Sequence, residues 1–244
     1  MTNTLDQKIV QLQELLVSDS QISSQAALSL VHDIYNNEID GPEKLFSILQ
    51  ARSSDHVSIN FIDGIIFELL LDSKSLPFGK QLTTQFPSGI VPLKSDVNID
   101  YSFLQQLLLN KQFQKADQVT QTKLCELSQK VNQHSRSWLY FTDISSLPST
   151  DLQTIDRLWQ VHSKGLFGVS VQRRIWLANN TNWDKFWNKI GWKIDDVACR
   201  YPQEFIWNID APAGHLPLFN QLRGVQVLAA LFDHPVWLDT AADT

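Results

Sequence analysis

Two cysteines in 244 residues leave little scope for covalent or metal cross-links. Cys125 and Cys199 cannot alone supply a structural zinc site, and they do not amount to the cysteine framework of a small secreted domain, so a reducing compartment is expected. There is no Gly-rich phosphate loop, no Cys-x-x-Cys pair and no His-Glu-x-x-His helix. No apolar run approaches the ~20 residues of a membrane span. The nearest, residues 59–71, is interrupted by Asn60, Asp63, Gly64 and Glu68. The opening MTNTLDQKIVQLQELL has neither the order of a signal peptide nor the composition of a transit peptide, so a soluble protein acting where it is made is expected. Positive charge is also scarce. With 20 Lys and Arg against 26 Asp and Glu, the net charge of -6 argues against a nucleic-acid partner.

What is present is an ordinary globular composition, 43% hydrophobic and 19% charged. It is unevenly spread. All eight tryptophans lie at or after Trp138, while the first ninety residues are rich in Leu, Ile, Ser and Gln. This shift predicts two units. In the first, helical spacing links Ile9, Leu12, Leu15 and Leu16, then Ala27, Leu30, Val31 and Ile34, then Leu45, Ile48 and Leu49 after the break at Gly41-Pro42. Ile62, Ile65, Ile66, Leu69 and Leu70 suit a central helix. The expected architecture is all-α: a small, repeat-like helical bundle over residues 1–88, a packed linker over 89–99, a helical core with long loops over 100–238, and a tail over 239–244.

Within the core, Leu104, Leu107 and Leu108 define one apolar face, and Phe113, Ala116, Val119, Thr120, Leu124 and Leu127 another. Ser149 or Thr150 is placed to cap a helix running to about His162, and Asp151 and Asp156 in its first turns are explained by the helix dipole. Residues 193–217, with Pro202, Pro212, Gly214 and Pro217, read as a long irregular loop. A final helix is expected over LFNQLRGVQVLAALF, residues 218–232.

Catalysis finds little support. The six histidines have no partner at metal-ligand spacing, and no nucleophile, base and orienter can be assembled. His162 reads as a hydrogen-bonded core residue and His215 as a loop-fixing one; the competing role for either is haem ligation or bilin chemistry. Binding fares better. Trp192, Tyr201, Phe205, Trp207 and Phe219 surround the long loop, with Lys189, Lys193, Arg200 and Arg223 nearby. Aromatic faces suit a flat apolar ligand and guanidinium groups suit carboxylates at its rim. A porphyrin fits this mixture, as do other flat acids and the groove of a protein partner.

The run DLQTIDRLWQVHSKGLFGVSVQRRIW, residues 151–176, resembles the central signature of the Genomes Uncoupled Four family. So do Trp183 to Trp192, APAGHLPL at 211–218 and NQLRGVQV at 220–227. The similarity runs in order from about Asp100 to Trp237. It implies an all-helical protein without enzymatic activity or resident cofactor. The implied ligands are protoporphyrin IX and magnesium protoporphyrin IX, held in a cup of core helices and two loops. The implied partner is the large porphyrin-binding subunit of magnesium chelatase, in chlorophyll biosynthesis.

Position by position, the resemblance makes the loop 193–217 a finger over the ring. Arg223 becomes a propionate anchor, Asn220 lies on the metal side, and Phe141 and Phe205 line the cup. With Trp192, Arg200, Tyr201 and Gln226 these form the expected porphyrin site. Departures are specific: Gln226 replaces a second arginine, Ala198 and Tyr201 replace loop tryptophans, and Val169 replaces a phenylalanine. A helical adaptor with a weakened or lost pocket is the alternative. The expected location is a cyanobacterial cytoplasm or a plastid stroma with the gene plastid-encoded. Peripheral membrane contact is compatible with such ligands, although no amphipathic membrane helix stands out.

Overall fold

A computed structural model describes residues 4–17, 24–37, 40–54, 59–72, 78–219 and 225–238. The N-terminal bundle comprises α1 (Leu5–Val17), α2 (Ser24–Tyr35), α3 (Gly41–Ser54), α4 (Phe61–Asp72) and α5 (Phe78–Gln85). The core adds α6 (Ser102–Leu109), α7 (Phe113–Asn132), α8 (Phe141–Ile144), α9 (Ser149–His162), α10 (Val169–Ala178) and α11 (Trp183–Lys189). It ends with a hairpin of β1 (Lys193–Ile194) and β2 (Val197–Ala198), then α12 (Gln226–Phe232) and a 3-10 turn at Pro235–Trp237. Among the described residues no helix is long and apolar enough to cross a membrane.

The central helix of the bundle is α4, as its broad apolar face predicts. Ile62, Ile65, Ile66, Phe67 and Leu70 are buried, and α4 meets α2, α3 and α5 on one side and α9 on the other. Its start is fixed reciprocally. Asn60 Oδ1 accepts the Ile62 N–H at 2.9 Å, and Asp63 Oδ2 accepts the Asn60 N–H at 2.8 Å. Asp63 also takes two bonds from Arg52, at 2.6 and 2.9 Å, which ties α3 to α4 through a buried ion pair. Removing one member of such a pair strands a buried charge, at a cost of about 3–5 kcal/mol.

The bundle and the core meet without an intervening layer. A Cβ at Gly64 would lie 2.5 Å from the Val161 carbonyl oxygen, so α4 and α9 cross with backbones nearly touching. Around this crossing, Glu68 receives Lys111 Nζ at 2.5 Å and faces His162 Nδ1 at 3.4 Å, while Lys111 Nζ also donates to the His162 carbonyl at 2.7 Å. Arg157 donates to the Ile59 carbonyl. His162 is fully buried here, as a core histidine should be.

The extended stretch before α6 is held firmly. Ile90, Val91 and Ile99 are buried. Gln105, fully buried on α6, accepts the Val91 N–H at 3.1 Å and donates to the Ser88 carbonyl. Thr154 Oγ1 donates to the Lys94 carbonyl at 2.8 Å.

Three expectations are corrected. First, α9 is not capped by Ser149 or Thr150. Extended Pro148 precedes it, and no side chain caps it. Second, the dipole does not account for Asp151 and Asp156. Asp151 accepts from the Tyr101 hydroxyl at 2.7 Å and the Asp96 N–H at 2.9 Å. Asp156 accepts from the Ser170 N–H at 2.9 Å and Gln160 Nε2 at 2.6 Å. Both are buried tie points between segments, a role invisible in a single helix. Third, the final helix does not begin at Leu218. Leu218 and Phe219 are non-helical, α12 begins at Gln226, and residues 220–224 lie outside the described residues.

The crossing at Gly64 yields a sign test. In an unhindered helix, Gly→Ala stabilises by about 1 kcal/mol. Here Gly64→Ala drives a methyl group into backbone, and the expected result is a loss of about 1–3 kcal/mol, measured as a lowered midpoint in chemical denaturation.

Candidate functional site

Helix α7 organises the site. Gln118, Gln121, Cys125 and Gln129 recur at steps of three and four and share one face. Each touches a different neighbour. Gln118 Nε2 donates to the Tyr201 hydroxyl at 3.1 Å, and Gln121 Nε2 to the Leu218 carbonyl. Cys125 Sγ lies 3.6 Å from the Ser137 carbonyl, and Gln129 Nε2 donates to the Arg136 carbonyl at 2.7 Å. This stripe spans roughly 16 Å at the helical rise. It is a floor, flanked at one end by the loop carrying Tyr201 and at the other by residues 136–141.

The flanks expose apolar surface. Trp138, Tyr140 and Phe141 are 39%, 49% and 46% exposed on one side, and Tyr201 and Ile206 are 50% and 43% exposed on the other. Trp138 meets Tyr140 edge-on, with centroids 6.3 Å apart and planes at 82°. The Arg136 guanidinium lies 4.5 Å above the Tyr140 ring and bonds Asp143 at 3.0 Å. Asp143 also accepts the Tyr140 N–H at 2.9 Å, closing the first turn of α8. Although burial opposes it, bonding to Arg136 and Tyr140 holds the Asp143 carboxyl below its ordinary range.

Residues 193–217 are more ordered than the irregular loop expected. A two-residue antiparallel pairing, Lys193 with Ala198 and Ile194 with Val197, turns at Asp195 and Asp196, both at positive φ. The base of this finger is built on His215. Its Nδ1 contacts the Ile190 carbonyl at 2.7 Å and its Nε2 accepts the Ile206 N–H at 3.0 Å. That pair of partners requires the neutral ring with its proton on Nδ1. Burial accordingly pushes its pKa down, against the opposing Ile190 bond. With both nitrogens occupied, His215 fixes the loop and is not placed to ligate haem. Gly214 beside it has φ +79, and a Cβ there would meet Ile175 and Ile190 within 2.9 Å.

The expected site residues separate by burial. Trp192 is buried, donates from Nε1 to the His215 carbonyl at 2.8 Å and packs on Phe186, so it supports the finger and presents no open face. Phe205 is also buried, against His215 and Trp207. Arg200 and Tyr201 are exposed on the finger. Phe141 and Gln226 are exposed on α8 and α12, which pack together. Asn220 and Arg223 lie outside the described residues, in the segment between Phe219 and Val225. Sequence reasoning missed Trp138, Tyr140 and the α7 glutamines. The first two are aromatics in a polar stretch, a weak signal; the glutamines have none, because their role depends on what α7 faces.

The segment entering 220–224 is anchored by α7. Asp117, buried, accepts the Leu218 N–H at 2.7 Å while Gln121 takes its carbonyl. Gln172, fully buried on α10, donates to the Gly214 and Pro217 carbonyls at 2.9 and 2.8 Å. Among the described residues no group of His, Cys, Asp and Glu could hold a metal ion. A shallow cavity of about 570 Å³ lies elsewhere, between α3 and α5, lined by Phe46, Gln50, Lys80 and Gln85.

A helical core presenting an aromatic-flanked floor beneath a tethered finger defines a class of small-molecule binding protein. The family model described as GUN4-like matches residues 94–235, more than half of the chain, and the protein belongs to that family. A Porphyra purpurea ycf53 protein is 48% identical over 239 residues, covering 97% of this chain and 99% of the relative. A chloroplastic protein of Arabidopsis thaliana, named as tetrapyrrole-binding, is 37% identical over 146 residues, covering 56% of this chain and 55% of the relative. The solved structure of GUN4 from Chlamydomonas reinhardtii matches with a TM-score of 0.55 at 40% identity, covering 60% of this chain and 95% of the other.

Burial lifts the Asp117 carboxyl from 3.8 to about 7, with the Leu218 N–H pulling the other way. Between those values the folded chain keeps a proton that the unfolded chain has lost. Asp117 therefore lowers stability as pH rises from about 4 to about 7, and its effect is constant above that. Asp117→Asn retains an acceptor for Leu218 and removes the titration. The expected outcome is a variant that gains stability over wild type between pH 5 and pH 8, measured by denaturation at both.

Proposed function

We propose that this protein binds protoporphyrin IX and magnesium protoporphyrin IX on the α7 floor without transforming them. In this reading it stimulates magnesium chelatase, acting through that enzyme's large porphyrin-binding subunit, in chlorophyll biosynthesis. The observation that carries the reading is exposed aromatic surface on both flanks of the floor, in a chain whose family includes a tetrapyrrole-binding relative. A porphyrin is flat, apolar on its faces and anionic along one edge. Phe141, Trp138, Tyr140 and Tyr201 supply ring contacts. The family resemblance assigns Arg223 as a carboxylate anchor and Asn220 to the metal side of the ring; both follow Leu218, whose backbone is held by α7. An amide reaches a hard magnesium ion through its carbonyl oxygen or a water.

No resident cofactor and no bond-making step is assigned. The chain's residues bind, orient and shield, which is the work of a regulator and not of an enzyme. A plastid stroma or cyanobacterial cytoplasm is the proposed location, in keeping with relatives from red algae and a cyanobacterium.

Tryptophan-fluorescence titration with each porphyrin tests binding. Saturable quenching at low micromolar concentration or below is expected, weakened roughly tenfold or more in Arg223→Ala, the scale of a lost charge-assisted hydrogen bond. Gln226→Arg, on the exposed first turn of α12, is expected to tighten binding by up to about tenfold. An unchanged dissociation constant in both variants would remove the propionate assignment. Stimulation of magnesium chelation by the reconstituted chelatase tests the partner. Absence of saturable quenching in the wild type would instead favour a helical adaptor.

A further inference from the structure

One side chain of the finger reaches the floor across 83 residues of sequence: Tyr201, whose hydroxyl lies 3.1 Å from Gln118 Nε2. The finger presents this side chain from a closed turn. Arg200 N–H donates to Glu204 Oε2 at 2.7 Å, and Glu204 N–H returns to the Arg200 carbonyl at 3.0 Å. The Tyr201 ring rests edge-on against Trp207, at 5.9 Å and 89°, and Trp207 Nε1 donates to the Pro202 carbonyl at 2.9 Å. The ring's base is thus fixed within the finger, and only its polar tip reaches across. A phenol hydroxyl both donates and accepts, so it pairs with the Gln118 amide in either orientation of that amide.

We infer that the Gln118–Tyr201 hydrogen bond latches the finger to the floor in the ligand-free protein, and that a flat ligand enters when this latch opens. The inference rests on the floor being the porphyrin site. Gln118 shares its helical face with Gln121, which holds the Leu218 carbonyl beside the segment carrying Asn220 and Arg223. A ring lying on that face must part Tyr201 from Gln118, while leaving the Tyr201 face available for stacking. Both latch partners are solvent-accessible. Water replaces either one when the bond breaks, so the latch adjusts the entry rate without sealing the site.

Tyr201→Phe keeps the ring and removes the hydroxyl; Gln118→Leu keeps the bulk and removes the amide. Without ligand, amide hydrogen exchange across residues 193–207 is expected to accelerate in both. In stopped-flow tryptophan quenching with protoporphyrin IX, each variant is expected to raise the association rate constant by about two- to fivefold, the scale of one solvent-accessible hydrogen bond. The double variant should gain no more than either single one. Unchanged exchange in both variants would overturn the latch. Faster exchange with unchanged or slower association would overturn its gating role. If the wild type shows no saturable quenching, the porphyrin reading fails and the gating claim with it, while the exchange comparison still decides whether the finger is tethered.

Discussion

Both backbone polar groups of Leu218 are held by α7, the N–H by the buried carboxyl of Asp117 and the carbonyl by Gln121. The rest of the site depends on this grip. It fixes Leu218 against the floor, and it does so from the same helix that meets the finger through Gln118 and the opposite flank through Cys125 and Gln129. A binding surface made of loops is only as well defined as the scaffold fixing them. Here one helix supplies the reference for all three margins.

Behind that helix the core is aromatic. Trp159 donates from Nε1 to Thr120 on α7 at 3.0 Å and stacks on Phe113 with centroids 6.1 Å apart. Phe113 in turn meets Phe167 edge-on. A second cluster joins α10, α11 and α12 through Trp176, Trp183, Phe186 and Phe232. Most tryptophans in this chain therefore hold the floor and finger in place. The aromatic surface left exposed is what remains for a ligand. The bundle joins the same framework from the far side, where α4 lies directly on α9 at Gly64 and Glu68 closes a cluster with Lys111 and His162. The Chlamydomonas structure matches only 60% of the chain while being almost wholly covered itself.

Much of the helical order was legible. The faces of α4, α6, α7 and α9 follow from spacing of apolar residues, since a helix must bury a stripe of fixed period. The core role of His162 and the loop-fixing role of His215 were legible too. What spacing could not give was the destination of polar side chains. Asp151 and Asp156 looked like dipole partners because helix position is a local property, whereas their bonds to Tyr101, Asp96 and Ser170 are set by chain segments 14 to 55 residues away. Trp192 and Phe205 looked like ligand faces because aromatic content near a loop does not say which way a ring points.

The sequence by itself determined a mostly helical chain, its tryptophan-rich second half and, through ordered motifs, its family. Each of these rests on local periodicity or on residue identity. Tertiary structure decided which aromatics are open, that His215 spends both nitrogens on the finger's base, and that Tyr201 reaches Gln118. Those outcomes depend on distances between segments far apart in the chain, and such distances are set only when the helices pack.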